Sequence, residues 1–215
     1  MKQLLVLLLL AGVVGCGGGT MSPGSGESPA EEAGDDPVTA LKKLGACING
    51  DNFYERGDVV EVEFFYDNNQ FTDASLVHLK ELTGLQRLGL EHTQVTDSGL
   101  EHLEGLANLE RLNLSYTQIR GAGLKHLKGL TKLRALYFHH SQITDAGLEH
   151  LKGLMSLSLL DLHDTQVTDA GLQHLKGLTN LRQIYLGNTQ ITDAGLQHLK
   201  GLTNLGYLWL YDTAI

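Results

Sequence analysis

The ten residues TDAGLEHLKG at positions 144–153 return almost unchanged 24 positions later, and the same period runs through most of the chain. In rows of 24 the sequence reads LTGLQRLGLEHTQVTDSGLEHLEG from Leu82, LANLERLNLSYTQIRGAGLKHLKG from Leu106 and LTKLRALYFHHSQITDAGLEHLKG from Leu130. LMSLSLLDLHDTQVTDAGLQHLKG from Leu154, LTNLRQIYLGNTQITDAGLQHLKG from Leu178 and the half-row LTNLGYLWLYDTAI from Leu202 follow. A unit this short cannot bury its apolar face alone, so it must be covered by copies of itself stacked on either side. Within a row, Leu88 and Leu90 alternate with Arg87, Gly89 and Glu91, the period of a strand with one face in and one out. Thr96-Asp97 then offers a helix start, Leu100 and Leu103 fall on one helical face, and Gly105 ends the turn. Each row therefore predicts strand, turn and short helix.

The rows share the pattern L-x-x-L-x-x-L-x-L-x-x-T-x-I. On that pattern, over roughly residues 58–215, the chain resembles the leucine-rich repeat family, in the TDAGL variety of bacterial repeat proteins. These rows are similar to the cysteine-containing repeats of F-box adaptors. The resemblance implies an α/β solenoid of horseshoe shape, with a parallel sheet on the concave side and short helices on the convex side. The adaptor function of the F-box proteins is not expected, because the residues ahead of the rows read as an export signal.

That leader, MKQLLVLLLLAGVVGCGGG, has a basic Lys2, an apolar run from Leu4 to Val14 and small residues around Cys16. The run is too short for a bilayer span, which needs about 20 residues. Val13-Val14-Gly15-Cys16 resembles the lipobox of bacterial lipoproteins, with Val13 where Leu is usual. The resemblance implies acylation of Cys16, attachment to a membrane and residence in the bacterial cell envelope, periplasmic or surface-exposed. Residues 1–16 are thus read as a lipoprotein signal peptide. Residues 17–36, rich in Gly, Ser, Pro and acids, read as a flexible tether with a reach of roughly 25 Å. Residues 37–66 form an N-terminal cap opened by Asp36-Pro37, with Phe64 and Tyr66 in place of the two strand leucines, and residues 67–215 are the repeats. The last row stops at Ile215 within its strand half, so either its own aromatics protect it or the sequence continues. Apart from Cys16, Cys47 is the only cysteine, and the fold is expected to hold by packing without an internal disulfide.

Two kinds of position separate in the rows. The tail of each row repeats because it is scaffold, including His78, His102, His126, His150, His174 and His198, each at one helical position and a whole repeat from its like. The strand half varies. Its outward positions are expected to form four files: Glu63, Arg87, Arg111, Ala135, Leu159, Gln183 and Tyr207; Phe65, Gly89, Asn113, Tyr137, Asp161, Tyr185 and Trp209; Asp67, Glu91, Ser115, His139, His163, Gly187 and Tyr211; Asn68, His92, Tyr116, His140, Asp164, Asn188 and Asp212. Tyr, Trp and Arg are the types that carry binding energy at interfaces. Arg87, Glu91, Arg111, Tyr116, Tyr137, His139, Asp161, His163, Tyr185, Tyr207, Trp209 and Tyr211 are accordingly the expected partner-binding residues, and the partner is expected to be a protein.

Other functions are weighed against this one. The net charge is −9 and no basic stretch stands out, so a nucleic-acid partner is not expected. No cofactor is expected, and no nucleophile elbow, zinc-protease motif or phosphate loop is present to suggest catalysis. The alternative from chemistry is a metal-binding surface built on His139 and His163, which adjacent strands would hold about 4.8 Å apart, with His140, Asp161 and Asp164 nearby. A third reading is a structural envelope protein that self-associates through its open last row.

Overall fold

A computed structural model describes residues 36–48, 60–64 and 68–215, so the leader with Cys16, the tether and the expected file members Phe65 and Asp67 lie outside the described residues. The chain enters through α1 (Pro37–Lys43), whose N-terminus is capped by Asp36 accepting from the amides of Val38 and Thr39 at 3.1 Å each. This is the start that Asp36-Pro37 predicts. The strands are β1 (Ala46–Ile48), β2 (Glu61–Phe64), β3 (Asn68–Thr72), β4 (Arg87–Gly89) and β5 (Thr93–Gln94). They continue with β6 (Arg111–Asn113), β7 (Ala135–Tyr137), β8 (Leu159–Asp161), β9 (Gln183–Tyr185) and β10 (Tyr207–Trp209). β1 lies antiparallel to β2, and from β2 onward the sheet is parallel in the order β2, β4, β6, β7, β8, β9, β10. β3 and β5 form a separate two-stranded ladder.

The helical halves are shorter and tighter than full α-helices. The rows at 73–79, 99–103 and 122–129 use 3-10 turns, while α2 (Asp145–Leu148), α3 (Asp169–Leu172) and α4 (Asp193–Leu196) open the later rows before a 3-10 turn closes each. Segments of this length gain too few i→i+4 bonds to hold a longer helix, and packing decides their form. Between sheet and helices runs one continuous core. Leu88, Leu112, Leu136, Leu160 and Ile184 form its sheet-side spine and are fully buried or nearly so. Every described row from Leu85 to Leu186 adds buried leucines to this one cluster.

Two sets of side-chain hydrogen bonds recur along the rows, one within a row and one between rows. In the first, the Thr93, Thr117 and Thr165 hydroxyls donate to the carbonyls of Leu90, Leu114 and Leu162 at 2.6 Å each, closing the turn after the strand as expected for a side chain that bonds local backbone. The second set links one row to the next. Asp73, Asp145 and Asp169 stand in the first turns of their own helices and also reach the next row: Asp73 takes the Thr96 amide and hydroxyl at 2.8 and 2.6 Å, Asp145 those of Thr168 at 2.8 and 2.7 Å, and Asp169 those of Thr192 at 2.8 and 2.6 Å. Asp97 meets Arg120-Gly121 where a Thr-Asp pair stands elsewhere, and it takes the amides of Arg120, Gly121 and Gly123 at 2.9–3.0 Å. Gly121, with φ of 115°, leaves no carboxylate for the following row. Its backbone packs directly on Gly147, whose Cα would lie 2.4 Å from a Cβ at position 121.

The cap differs from expectation by two residues. Val62 pairs with Leu88 and Glu61 with Arg87, so Val62 and Phe64, not Phe64 and Tyr66, take the strand-leucine places. The 24-residue frame is restored by Asp73, which stands to Thr96 as Asp145 stands to Thr168, 23 positions apart in both cases. The extra two residues are absorbed ahead of Phe71, whose ring packs 4.1 Å from that of Phe64. Aromatic bulk at this corner fills the space that the longer first row opens.

Candidate functional site

The outward face of the sheet follows the expected register. Arg87, Arg111, Ala135, Leu159, Gln183 and Tyr207 form one file, and Gly89, Asn113, Tyr137, Asp161, Tyr185 and Trp209 the next. At their head the shifted cap places Glu61 and Glu63 in place of Glu63 and Phe65.

The two outer files sit beyond the three-residue strands, and the fourth is not as free as its sequence variety suggests. His92, Tyr116, His140, Asp164, Asn188 and Asp212 all have φ between 51° and 58°, the left-handed region. Non-glycine residues are uncommon there, and Asn, Asp and His are enriched among them. The backbone therefore restricts this file, and five of these six residues, all but Tyr116, are of those three types. The third file is also partly committed. Ser115 and Gly187 are buried, and the His163 ring lies so close over Gly187 that a Cβ there would be 2.4 Å from Nδ1. Asn113 and Asp161 serve their own turns, accepting at 3.0 Å from the amides of Ser115 and His163.

Three neighbourhoods result. Toward the cap, Arg87 faces Glu61 at 3.6 Å, Asn113 donates to Glu91, and the Arg111 guanidinium lies 4.9 Å from the centre of the Tyr137 ring. Burial raises the pKa of Glu91, with repulsion from Glu63 adding to it, and burial raises that of the Tyr137 hydroxyl against the opposing charge of Arg111.

In the middle, aromatic rings run in a chain. His92 stacks on Tyr116 at 4.2 Å, Tyr116 lies 4.8 Å from His140 and 5.2 Å from His139, and His139 meets the edge of His163 at 4.8 Å. Asp164 is the hub: its Oδ2 lies 3.0 Å from Nε2 of His163, 3.3 Å from that of His140 and 3.4 Å from that of His139. Asn188 donates to its other oxygen, and the carboxylate is only 13% exposed. Burial would raise the pKa of Asp164, but the Asn188 bond and the three imidazoles outweigh it and hold the group below its usual value. Burial lowers the pKa of His139, and burial raises that of Asp161. The spacing of the rows predicted the meeting of His139 and His163. The same spacing placed His140, Asp161 and Asp164 nearby, but not Asp164 as the common partner of the three imidazoles, which the left-handed backbone at 140 and 164 brings about. The recurrence of His, Asp or Asn at that place in every row but the one with Tyr116 was the available signal.

Toward the last row, Tyr185 and Tyr207 lie 5.9 Å apart and Tyr207 stacks on Trp209 at 6.3 Å. Tyr207, Trp209 and Tyr211 are 48%, 44% and 68% exposed, and Tyr116 in the middle is 43% exposed. The aromatics of the last row leave Leu208 and Leu210 half-buried, in contrast to the sealed leucines of the rows before. Of the expected binding residues, Arg87, Arg111, Tyr116, Tyr207, Trp209 and Tyr211 are exposed, while Glu91, Tyr137, His139, Asp161, His163 and Tyr185 are half-buried within these neighbourhoods. The six repeating histidines stay on the helical side, half-buried, with His126 Nδ1 against Glu104 at 2.5 Å.

Residues 83–143 match a family model described as leucine rich repeat, and residues 156–198 match one described as leucine rich repeats in two copies. No curated protein matches the chain. Among solved structures the chain is similar to internalin C2 of Listeria monocytogenes, at 26% identity over 72% of each chain with a TM-score of 0.56. A second internalin of that organism gives 25% identity over 65% of this chain and 45% of that one, with a TM-score of 0.48. A leucine-rich repeat protein of Leptospira interrogans gives 23% identity over 64% of this chain, with a TM-score of 0.54. The present chain spans 34% of that protein's length. Periodicity, parallel register, family models and fold agree: the chain carries leucine-rich repeats stacked into an α/β solenoid.

Proposed function

We propose that the protein is a membrane-tethered binding module that recognises a protein partner through the outward, concave face of its repeats. Leucine-rich repeats generally mediate protein–protein interaction, which supports a binding role over an enzymatic one. The observation that carries the reading is the contrast within each row. The tail repeats nearly letter for letter, while the outward positions change from row to row and expose Tyr116, Tyr207, Trp209 and Tyr211. Amphipathic aromatics held on a rigid sheet supply contact area at little entropic cost and dominate binding hot spots. Arg87 and Arg111, set among Glu61, Glu63 and Glu91, add a charged end suited to orienting a partner.

The test is capture from an envelope extract with the full chain beside a Tyr207→Ala, Trp209→Ala, Tyr211→Ala variant whose circular dichroism matches the parent. A protein retained by the parent and reduced at least about tenfold in the variant is the expected result, since two or more hot spots are removed. Equal capture by both, or capture by neither, overturns the reading.

The tether is a separate part of the proposal and rests on the Val13-Val14-Gly15-Cys16 resemblance. No helix among the described residues is long and apolar enough to cross a membrane. The proposed anchor is acyl chains on Cys16. Cys16→Ala is expected to shift the protein from the membrane pellet to the soluble fraction of lysed cells. A parent protein that is already soluble would remove the anchor from this account.

A further inference from the structure

We propose that His139, His140 and Asp164 form a binding site for one divalent transition-metal ion of the zinc class, with His163 and Asn188 holding the carboxylate in place. The two imidazoles and the carboxylate each offer a ligand atom, and the three atoms lie within 4.8 Å of one another. Ligands about 2.0–2.2 Å from a tetrahedral zinc ion stand about 3.3–3.6 Å apart, the length of a tetrahedron's edge. Asp164 Oδ2 stands 3.3 Å from His140 Nε2 and 3.4 Å from His139 Nε2, so two edges of such a tetrahedron already exist. The third pair, between the two imidazole nitrogens, lies within 4.8 Å, and forming that edge requires a rotation of the exposed His140 ring. Mixed imidazole and carboxylate donors suit zinc and its first-row neighbours better than calcium or magnesium, which select oxygen ligands.

The surroundings fit the same reading. Ligating carboxylates are commonly held by outer hydrogen bonds, and here Asn188 takes Oδ1 of Asp164 and leaves Oδ2 toward the imidazoles. His163 is assigned to the carboxylate, not to the ion. Its Nδ1 is buried over Gly187 with no hydrogen-bond partner, so a proton there would be an unsatisfied buried donor. The proton therefore sits on Nε2, which donates to Asp164 Oδ2 at 3.0 Å. The backbone is fixed as well. The His140 and Asp164 amides donate to the carbonyls of His163 and Gly187 at 3.2 and 3.0 Å, so a ligand meets a site already assembled on neighbouring rows.

Calorimetric titration of the full chain with Zn²⁺ tests the site, with Co²⁺ absorption as a second readout because a tetrahedral site gives intense visible bands. The variants are His140→Asn and Asp164→Asn, since Asn tolerates the left-handed backbone at both positions. The expected result is saturable binding of one equivalent by the parent and its loss in both variants, with circular dichroism unchanged. His163→Gln is expected to weaken binding roughly 10- to 100-fold without abolishing it. A parent that does not bind saturably overturns the proposal, and so does binding that survives either Asn variant, which would assign the ion to the histidines on the helical side.

Discussion

Phe138→Ala is expected to destabilise the solenoid by about 3–5 kcal/mol, the range for removing a fully buried aromatic side chain. Phe138 is completely buried and belongs to the single cluster that runs through the rows. It stands where the other complete rows carry Leu90, Leu114, Leu162 and Leu186, so its ring fills volume that a leucine fills in each neighbour. The loss falls in the middle of the stack. In a linear array stability is held in each repeat and in its contacts with two neighbours, so a cavity here weakens two interfaces at once. Urea unfolding followed by circular dichroism reads the effect as a lower midpoint. Phe138→Leu, which substitutes what adjacent rows tolerate, is expected to cost less than about 1.5 kcal/mol. An alanine variant within about 0.5 kcal/mol of the parent, the usual range for a surface substitution, would mean that the rows are packed more loosely than their burial indicates.

Asp145→Ala is expected to cost about 2–3 kcal/mol, although the residue is only half-buried. Its carboxylate takes both the amide and the hydroxyl of Thr168 in the following row, and its removal leaves that amide without a partner. The equivalent link at Asp169 carries a pH signature. The Thr192 hydroxyl and then the Thr192 amide hold the Asp169 carboxyl below its usual value, with burial opposing. A carboxyl whose folded pKa is depressed contributes stability above its unfolded pKa and loses it as pH falls through the folded value. The loss is therefore expected on the acid side of the ordinary carboxylate range, near pH 4 and below. Asp169→Asn should flatten that limb of the stability profile while changing little near neutrality beyond the lost charge-assisted bond. An acid limb unchanged in Asp169→Asn would show that this link does not titrate with folding.

The contrast between Phe138 and Asp145 marks what could be read before the structure. Leucine at fixed places in every row specifies burial, strand and helix by period alone, because apolar side chains lose water wherever they pack and the same packing recurs every 24 residues. The parallel register followed from the same count, and Arg87, Arg111 and Ala135 meet as the spacing requires. An interaction between rows leaves no such mark. The aspartate of TDAGL reads as a helix-start residue in its own row, and its true partner is a threonine 23 positions on, visible only once the rows are stacked.

The outward face divides in the same way. Its composition, row by row, was legible, as was the approach of His139 to His163, because both depend on which residues occupy equivalent strand places. The nearness of His140 and Asp164 was expected as well, but their convergence on one carboxylate oxygen depends on backbone torsion. Left-handed φ at both positions turns the side chains toward a common centre, and a sequence pattern carries the residue's place in the row but not the direction in which its Cβ leaves the chain. The two extra residues of the first row belong with this second kind. Val62 and Phe64 are apolar in either frame, and only the pairing of Glu61 with Arg87 decides between them, since hydrogen-bonded register is a property of two strands together.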